Sequence, residues 1–295
     1  MNTYTSVAEL RAALKAARDN NKNLTVGLVP TMGALHEGHL SLIQRAKKEC
    51  DLVVVSVFVN PIQFNNKEDL EKYPRTVEAD LEKLAGVDTD MVLTPSVEEM
   101  YPEPVTDVYH FGQIEEVMEG PQRPGHFSGV AVVVRRLFDI VEPQRAYFGE
   151  KDFQQIAIIR NLLEQIKYPI ELVPCPIVRA EDGLALSSRN MRLSEDARAV
   201  APTIYATLKK AVEMSKTNTV EEVKQWTVNT LRDYHSVNAN IIDPETYRVF
   251  NPEYFEIVDD TTLQPIKNWD DAKGVVGCIT VWLTGVRLID MIRFK

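Results

Sequence analysis

The sequence predicts an α/β fold in which helices cover a parallel sheet, followed by a smaller α+β domain. Residues 52–59 are almost uninterrupted in apolar side chains, which is typical of a strand buried on both faces. Short apolar runs alternate with segments of helical periodicity as far as about residue 180, as in a parallel sheet. Beyond that point helices come first and strands follow, so we divide the chain into residues 1–181 and 182–295.

The composition narrows the class of protein. With 295 residues, of which 44% are hydrophobic, the chain is long enough for two domains. A formal net charge of −10 argues against a nucleic-acid partner, because no overall positive field would attract a phosphate backbone. The three cysteines lack paired spacing, the beginning lacks the apolar core of a signal peptide, and no apolar run approaches about 20 residues. These features favour a soluble, cytoplasmic protein.

A first helix over residues 7–17 leads to a strand over 24–29, a sharp corner and a second helix that begins with two histidines. We expect Pro30 to end the strand, because proline cannot extend a ladder. His36 and His39 lie three residues apart and so on one face of the helix start. Free backbone N–H groups and the positive end of the helix dipole favour an anion at this position, which predicts a phosphate site.

Two other interpretations of the histidine pair stay open. The imidazoles could pack in the core or lie on the surface without binding anything. They could also occupy two corners of a zinc site. Zinc ranks below phosphate, because the pattern His-Glu-x-x-His is absent and neither a cysteine nor a third histidine lies nearby.

Polar side chains follow the buried strand at 52–59. The carboxyl ends of parallel strands line the ligand crevice, so Asn60 and Gln63 are predicted to face the same cleft as the histidines. A plain turn capped by the asparagine is the alternative. Thr76 is then predicted to cap a helix with acidic early turns. These acids indicate a solvated face, although Asp80 could also bind Mg²⁺.

A short strand at Met91–Leu93 and a proline-rich stretch at 101–110, which we expect to form a loop or a sheet edge, come next. Arg123 lies in a glycine-punctuated stretch before a helix over 130–141. It could meet an anionic group over a cleft, and an ordinary loop is an equally good interpretation.

A strand over 145–148 leads into a second glycine corner before the helix 153–166. Lys151 in this corner could neutralise phosphate, and Asp152 could accept a hydrogen bond from a ribose hydroxyl. Gln155 follows on the helix and offers both a donor and an acceptor to a polar substrate. An ion-paired helix start is the alternative for the lysine and the aspartate.

After a strand over 170–178, Ser187, Ser188 and Arg189 suit a loop that closes on phosphates and cancels developing charge. A surface turn before a helix capped by Ser194 is the alternative. Helical periodicity continues over 195–214 and 220–234, and strands are predicted at 254–258 and 274–283.

Seven motifs occur in order along nearly the whole chain: PTMGALHEGHL at 30–40, FVNPIQF at 58–64, YPRT at 73–76, RPGHF at 123–127, GEKDFQQ at 149–155, LSSRN at 186–190 and RLID at 287–290. Together they resemble the pantothenate synthetases, also called pantoate–β-alanine ligases. Over residues 238–251 no pattern of this family is present.

The resemblance implies a Rossmann-like catalytic domain over 1–181 that binds ATP and pantoate, with a lid over 182–295 that closes on it. It also implies a homodimer. The implied reaction is an ATP-dependent, Mg²⁺-assisted condensation of pantoate with β-alanine through an enzyme-bound pantoyl adenylate, which releases AMP and pyrophosphate.

The resemblance also implies roles for individual residues. The expected ATP-binding residues are Met32, Gly33, Ala34, Leu35, His36, Glu37, Gly38, His39, Gly149, Glu150, Lys151, Asp152, Val178, Leu186, Ser187, Ser188 and Arg189. His39 is the expected proton donor, with His36, Lys151, Ser187, Ser188 and Arg189 as further catalytic residues. Gln63, Gln155, Asn60 and Arg123 are expected to bind substrate, and Asp80 is the metal candidate.

Two other functions compete with the ligase. The resemblance places the chain in the nucleotidyltransferase superfamily, whose His-x-Gly-His motif stands at 36–39. Another enzyme of that superfamily, one that stops at a nucleotidylated product, would need only the first motif. A non-catalytic nucleotide-sensing module would not need a lysine, two histidines and a Ser-Ser-Arg loop all directed at phosphates. The paired glutamines, which suit a small polyol acid, favour the ligase.

Overall fold

The computed structural model describes residues 1–236, 238–243, 245 and 248–295. The chain forms two compact units. The first comprises Met1–Glu115, Gly120–Glu150 and Gln155–Pro176, and the second comprises Glu116–Glu119, Lys151–Gln154 and Ile177–Lys295. The predicted boundary between two domains, placed between residues 181 and 182, stays a prediction. Positions 244, 246 and 247 of the segment without a family pattern lie outside the described residues.

Six strands of the first unit form a parallel sheet, which confirms the predicted fold class. They are β1 (Asn2–Tyr4), β2 (Val26–Thr31), β3 (Leu52–Val57), β4 (Met91–Leu93), β5 (Arg145–Gly149) and β6 (Glu171–Cys175). Their order across the sheet is β1-β4-β3-β2-β5-β6.

The helices as far as Ile166 are α1 (Val7–Asn20), α2 (Glu37–Glu49), α3 (Lys67–Glu71), α4 (Val77–Gly86), α5 (Val97–Met100), α6 (Glu119–Gln122), α7 (His126–Val141) and α8 (Phe153–Ile166). Within the described part of the chain, no helix combines the length and the apolar character that crossing a membrane requires.

The core of the first unit lies on both faces of this sheet, and β3 shows why the sequence could predict it. Every residue of β3 is buried. Leu52 and Val54 pack into one apolar cluster, whereas Val53, Val55 and Val57 pack into a second. Successive side chains of a strand point to opposite faces, so an uninterrupted apolar run requires cover on both sides.

The strand that precedes the histidines is longer than predicted. Pro30 does not end β2 but lies within it, paired in register with Ser56 of β3. On the other side, β2 pairs with β5 only through Gly27 and Leu28. Pro30 therefore lies beyond the last register pair with β5, where a missing N–H group breaks no ladder.

The second unit contains an antiparallel sheet and helices. Its strands are β7 (Phe250–Asp259), β8 (Val275–Leu283) and β9 (Val286–Arg293), and its helices are α9 (Glu195–Val200), α10 (Thr203–Met214) and α11 (Val220–Arg232). The predicted continuous helix over 195–214 is interrupted at Pro202, which has no N–H group to donate. The terminal strand β9 was not predicted.

A buried ion-pair cluster fastens the short segment 116–119 to the antiparallel sheet of the second unit. Arg287 of β9 donates to both carboxylate oxygens of Glu119, at 2.7 and 2.9 Å, and also to Glu253. The hydroxyls of Tyr254 and Thr280 donate to Glu119 at 2.6 and 3.0 Å. Burial opposes the charge of Arg287, but its hydrogen bonds to the two glutamates outweigh burial and raise its pKa. The cluster explains why Glu119 belongs to the second unit.

We expect Arg287→Met to lower the free energy of unfolding by roughly 3–5 kcal/mol, because it leaves buried carboxylates without their cation. Lys210→Met is the matched control, since its ion pair with Glu213 is exposed and should contribute less than about 1 kcal/mol. Urea unfolding followed by circular dichroism measures both variants. Equal losses would show that the cluster does not hold the second unit together.

Candidate active site

The sheet order creates a topological switch point between β2 and β5. From β2 the chain continues to β3 on one side, and β5 lies on the other side. Ligands of such sheets bind outside the carboxyl ends of the strands at this point. The predicted residues 32–39 follow β2 directly, Asn60 and Gln63 follow β3, and Gly149 ends β5. The fold therefore brings these three predicted groups to one edge of the sheet.

The corner after β2 has an unusual backbone that a buried carboxylate holds. Gly33 and Ala34 both have positive φ angles, of 81° and 48°. Asp80 of α4 is fully buried and accepts from the N–H groups of Ala34 at 2.9 Å and Leu35 at 2.7 Å. A Cβ on Gly33 would lie 3.0 Å from the Asp80 carboxylate, so glycine is needed for both conformation and space.

This geometry assigns Asp80 a structural role that the sequence did not reveal. Its carboxylate also accepts from the Thr76 hydroxyl at 3.2 Å, and this bond takes the place of the predicted cap, because the Thr76 side chain makes no capping hydrogen bond to α4. Lys83, also on α4, donates to the carbonyl of Leu35 at 2.6 Å. Helix α4 thus fixes the corner through two charged side chains.

The two histidines lie at the start of α2, as predicted. His36 is the N-cap, and its Nδ1 accepts from the Gly38 N–H at 3.1 Å. Nδ1 of His39 accepts from the His36 N–H at 3.3 Å, and the ring centroids are 4.0 Å apart. When Nδ1 accepts, the proton of a neutral imidazole is on Nε2. Each ring therefore has an N–H donor at its other nitrogen.

Asn60 and Gln63 are linked in the turn after β3. Asn60 is only 1% exposed. Its Oδ1 accepts from Tyr101 and Ile62, and its Nδ2 donates to Gln63 and to the Gly129 carbonyl. These four hydrogen bonds use the whole capacity of an asparagine amide. Asn60 consequently orients its neighbours, whereas the sequence had suggested contact with a ligand.

Helix α7 packs closely against this turn. Nδ1 of His126 lies 2.7 Å from the carbonyl oxygen of Gln63. A Cβ on Gly129 would lie 2.7 Å from the carbonyl oxygen of Ile62, so only glycine permits this approach. Sequence reasoning missed the roles of His126 and Gly129, although both residues stand in or beside the RPGHF motif at 123–127.

Arg123 and Gln155 occupy other parts of the first unit. Arg123 lines a cavity of about 280 Å³ together with Tyr109, His110 and Ser128. Gln155 is half-buried in the first turn of α8. No direct hydrogen bond between Gln155 and Gln63 occurs among the described residues, so their shared role in substrate binding stays a prediction.

In the second unit, the structure pairs Val178 with Leu186, two predicted residues from separate stretches of the sequence. The Leu186 N–H donates to the Val178 carbonyl at 3.0 Å, so these residues lie on the two arms of a short hairpin. The Ser-Ser-Arg loop follows directly, and Ser187 Oγ accepts from the Arg189 N–H at 3.3 Å. Lys151 lies 3.2 Å from Asp152, which is the ion pair that the sequence offered as the alternative.

A charged pair that was not predicted fixes this hairpin. Arg179 donates to both carboxylate oxygens of Asp290 in β9, at 2.6 and 2.7 Å. The guanidinium carbon also lies 3.5 Å from the ring centroid of Tyr205. The pair is largely buried, and bidentate geometry of this kind is strong and specific. The hairpin that leads into Ser187 is therefore fastened to the antiparallel sheet.

Known proteins resemble the chain over its full length. The family model described as pantoate-beta-alanine ligase matches residues 2–293. Pantothenate synthetase of Porphyromonas gingivalis is 52% identical over 295 residues, covering 100% of both chains. That of Bacteroides thetaiotaomicron is 50% identical, covering 100% of this chain and 99% of the relative.

Solved structures agree with these sequence relatives. Pantothenate synthetase from Thermus thermophilus superposes with a TM-score of 0.88 at 42% identity, covering 100% of both chains. Pantoate-beta-alanine ligase from Francisella tularensis, complexed with beta-gamma ATP and beta-alanine, gives a TM-score of 0.80 at 32% identity, covering 100% of this chain and 98% of that one.

We expect Asp80→Asn to lower the free energy of unfolding by about 2 kcal/mol, because an amide offers only one acceptor oxygen to two backbone N–H groups. Glu82→Gln, an exposed change on the same helix, is the control and should stay within about 0.5 kcal/mol of the unchanged chain. Chemical denaturation measures both. If Asp80→Asn is as stable as the control, the carboxylate does not hold the corner.

Proposed function

The chain belongs to the pantoate-beta-alanine ligase family, and we infer that it condenses pantoate with β-alanine to pantothenate while ATP is converted to AMP and pyrophosphate. The observation that carries this function is the full-length match at about half identity, combined with two imidazoles at a helix start beside the switch point. An enzyme that stops at a nucleotidylated product is not favoured, because these relatives are named as synthetases or ligases.

The triphosphate of ATP is assigned to the start of α2. Backbone N–H groups and the helix dipole favour an anion there, and the Nε2–H groups of His36 and His39 add two donors. Lys151, Ser187, Ser188 and Arg189 are proposed to neutralise further phosphate charge. The remaining proposed ATP contacts are those of the sequence prediction: Met32, Gly33, Ala34, Leu35, Glu37, Gly38, Gly149, Glu150, Asp152, Val178 and Leu186.

Pantoate is assigned to Gln63 and Gln155, and Arg123 is kept as a candidate for its carboxylate. Amide groups suit a hydroxy acid because they donate and accept hydrogen bonds without adding charge. Asn60 serves this site indirectly, since its polar atoms are already bound to the protein.

Magnesium is proposed to accompany ATP. Among the described residues, no group of three or more His, Cys, Asp or Glu side chains could hold a metal ion. Both carboxylate oxygens of Asp80 accept backbone hydrogen bonds, so this residue fits a structural role better than a metal site. Mg²⁺ usually keeps several waters and binds substrate phosphates, and it needs few protein ligands. The cations of this chain that would neutralise phosphate charge are then Lys151 and Arg189, while the neutral imidazoles donate hydrogen bonds.

The chemistry proceeds in two displacements without a covalent bond to the enzyme. A carboxylate oxygen of pantoate forms a bond to the α-phosphorus, and the bond from that phosphorus to the bridging oxygen breaks to release pyrophosphate. The neutral amine of β-alanine then attacks the acyl carbon, AMP leaves, and the nitrogen loses a proton. Positioning and stabilisation of negative charge account for most of the catalysis in such transfers.

We also propose that the protein is a homodimer, because the family resemblance implies one. A cytoplasmic location is proposed on the composition of the chain. The role of a lid, which the resemblance implies for residues 182–295, stays a prediction.

The function is tested by incubating the purified protein with ATP, pantoate and β-alanine and measuring AMP and pantothenate. We expect AMP to form only when pantoate is present, and pantothenate only when β-alanine is added as well. AMP formation at the same rate with and without pantoate would contradict the proposed ligase activity.

We expect His39→Ala to lower kcat by roughly 10²- to 10³-fold, because it removes the Nε2–H hydrogen-bond donor from the reacting phosphate. The circular dichroism spectrum should not change. His235→Ala, a change at an exposed histidine, should retain full activity. Retention of activity by His39→Ala would remove the proposed role.

We expect Lys151→Ala to lower kcat by roughly a hundredfold, because one cation no longer stabilises the transition-state charge. Lys224→Ala is the control, since Lys224 is also a half-buried lysine of the second unit in an ion pair, at 2.8 Å from Glu256. Steady-state release of pyrophosphate measures both rates. Equal rates for the two variants would show that Lys151 forms only the ion pair with Asp152.

A further inference from the structure

We propose that Tyr101 is a positioning residue for pantoate, because its hydroxyl fixes Asn60 and Asn60 determines which end of the Gln63 amide faces the substrate. The inference rests on the proposed function, in which Gln63 binds pantoate. Tyr101 lies at the start of the proline-rich stretch 101–110 and directly follows α5.

The first step is the orientation of Asn60, which two backbone groups determine. The Ile62 N–H, which can only donate, lies 3.3 Å from Oδ1. The Gly129 carbonyl, which can only accept, lies 3.2 Å from Nδ2. A side-chain amide between these two groups has one favourable orientation. The nitrogen of Asn60 therefore points toward α7 and the oxygen toward its own turn.

The second step is the orientation of Gln63. Nδ2 of Asn60 also donates to Oε1 of Gln63 at 3.2 Å. The oxygen of Gln63 is thus turned toward Asn60, and its Nε2 lies 2.9 Å from the sulfur of Met32, at the corner after β2. One N–H group of Nε2 is donated to that sulfur, so Gln63 presents its second N–H group to the site. Carboxylate and hydroxyl oxygens of pantoate are acceptors that match this donor.

The third step is the contribution of Tyr101. Its hydroxyl donates to Oδ1 of Asn60 at 2.9 Å, which is shorter than the 3.3 Å bond from Ile62. Burial raises the pKa of Tyr101, so its hydroxyl stays protonated. Without this donor, the Asn60 oxygen keeps only the longer bond in a site that water does not reach.

Tyr101 can act in this way because its own position is fixed. The carbonyl of the preceding Met100 accepts from Arg136 Nε of α7 at 3.0 Å. The ring of Tyr101 packs edge-to-face on Phe58, with centroids 6.0 Å apart. Tyr101 is therefore held between α7 and Phe58, the residue that directly follows β3, and these two parts of the chain also bound the Gln63 turn.

The test compares Tyr101→Phe with Tyr147→Phe. Tyr147 is buried in the first unit, whereas Tyr101 is half-buried, and the Tyr147 hydroxyl donates to Glu49 at 3.1 Å, away from Asn60. We expect the KM for pantoate to rise about five- to tenfold in Tyr101→Phe, the equivalent of one lost hydrogen bond, with the KM for ATP unchanged. Tyr147→Phe should leave both constants unchanged. In a Gln63→Ala background, Tyr101→Phe should have no further effect on the KM for pantoate.

A second readout does not depend on activity. The side-chain amide signals of Gln63 in a ¹⁵N-correlated NMR spectrum are assigned by their absence in Gln63→Ala. We expect them to shift in Tyr101→Phe and to stay in place in Tyr147→Phe.

The outcomes separate the inference from the function on which it rests. If the unchanged protein forms no pantoate-dependent AMP, the proposed function fails and the inference fails with it, while a shift of the Gln63 signals would still establish the physical linkage. If the protein is active but Tyr101→Phe changes neither the KM for pantoate nor the Gln63 signals, only the inference is overturned. A parallel rise in the KM for ATP would also overturn it, because general loosening would then explain the effect.

Discussion

The buried carboxylate of Asp80 is the interaction on which the geometry of the histidine pair depends. Ala34 adopts a left-handed backbone, which costs a residue other than glycine roughly 1–3 kcal/mol. The hydrogen bonds from the Ala34 and Leu35 N–H groups to Asp80 offset this cost. These bonds fix the backbone as far as Leu35, the residue before His36. Helix α2 therefore starts with both imidazoles on one face. Asp80 of α4 thus determines the direction in which the imidazole N–H groups at the start of α2 point.

Apolar packing and buried polar groups stabilise different parts of the molecule. Regular elements are held by apolar packing, as the two clusters on either side of β3 illustrate. Irregular segments lack the regular backbone ladders of helices and strands, and buried polar groups help to fix them. Asn60 fixes the turn after β3, and Arg179 with Asp290 fixes the hairpin before the Ser-Ser-Arg loop. In each case a side chain satisfies backbone groups or a partner that no helix or strand would satisfy.

The sequence predicted what depends on local pattern and missed what depends on partners. The limits of β4 and α8 were predicted to the residue, because periodicity and flanking glycine or proline define them. The role of Asp80 was not predictable, because an acid on a helix looks the same whether it meets solvent, a metal or a loop 45 residues away. For the same reason, the sequence predicted that Asn60 contacts a ligand. Nothing in the sequence distinguishes Tyr101 from the other residues of its loop.

The ion pair of Glu119 and Arg287 has a consequence for how this gene can recombine. Its two members are far apart in the chain but belong to the same unit. Glu119 ends the short segment Glu116–Glu119 of the second unit, and Arg287 lies in its long segment Ile177–Lys295. A chimera of two homologous genes joined at position 176 would take the acid from one parent and the base from the other. Such a chimera keeps the ion pair only when one parent supplies the acid at 119 and the other supplies the base at 287.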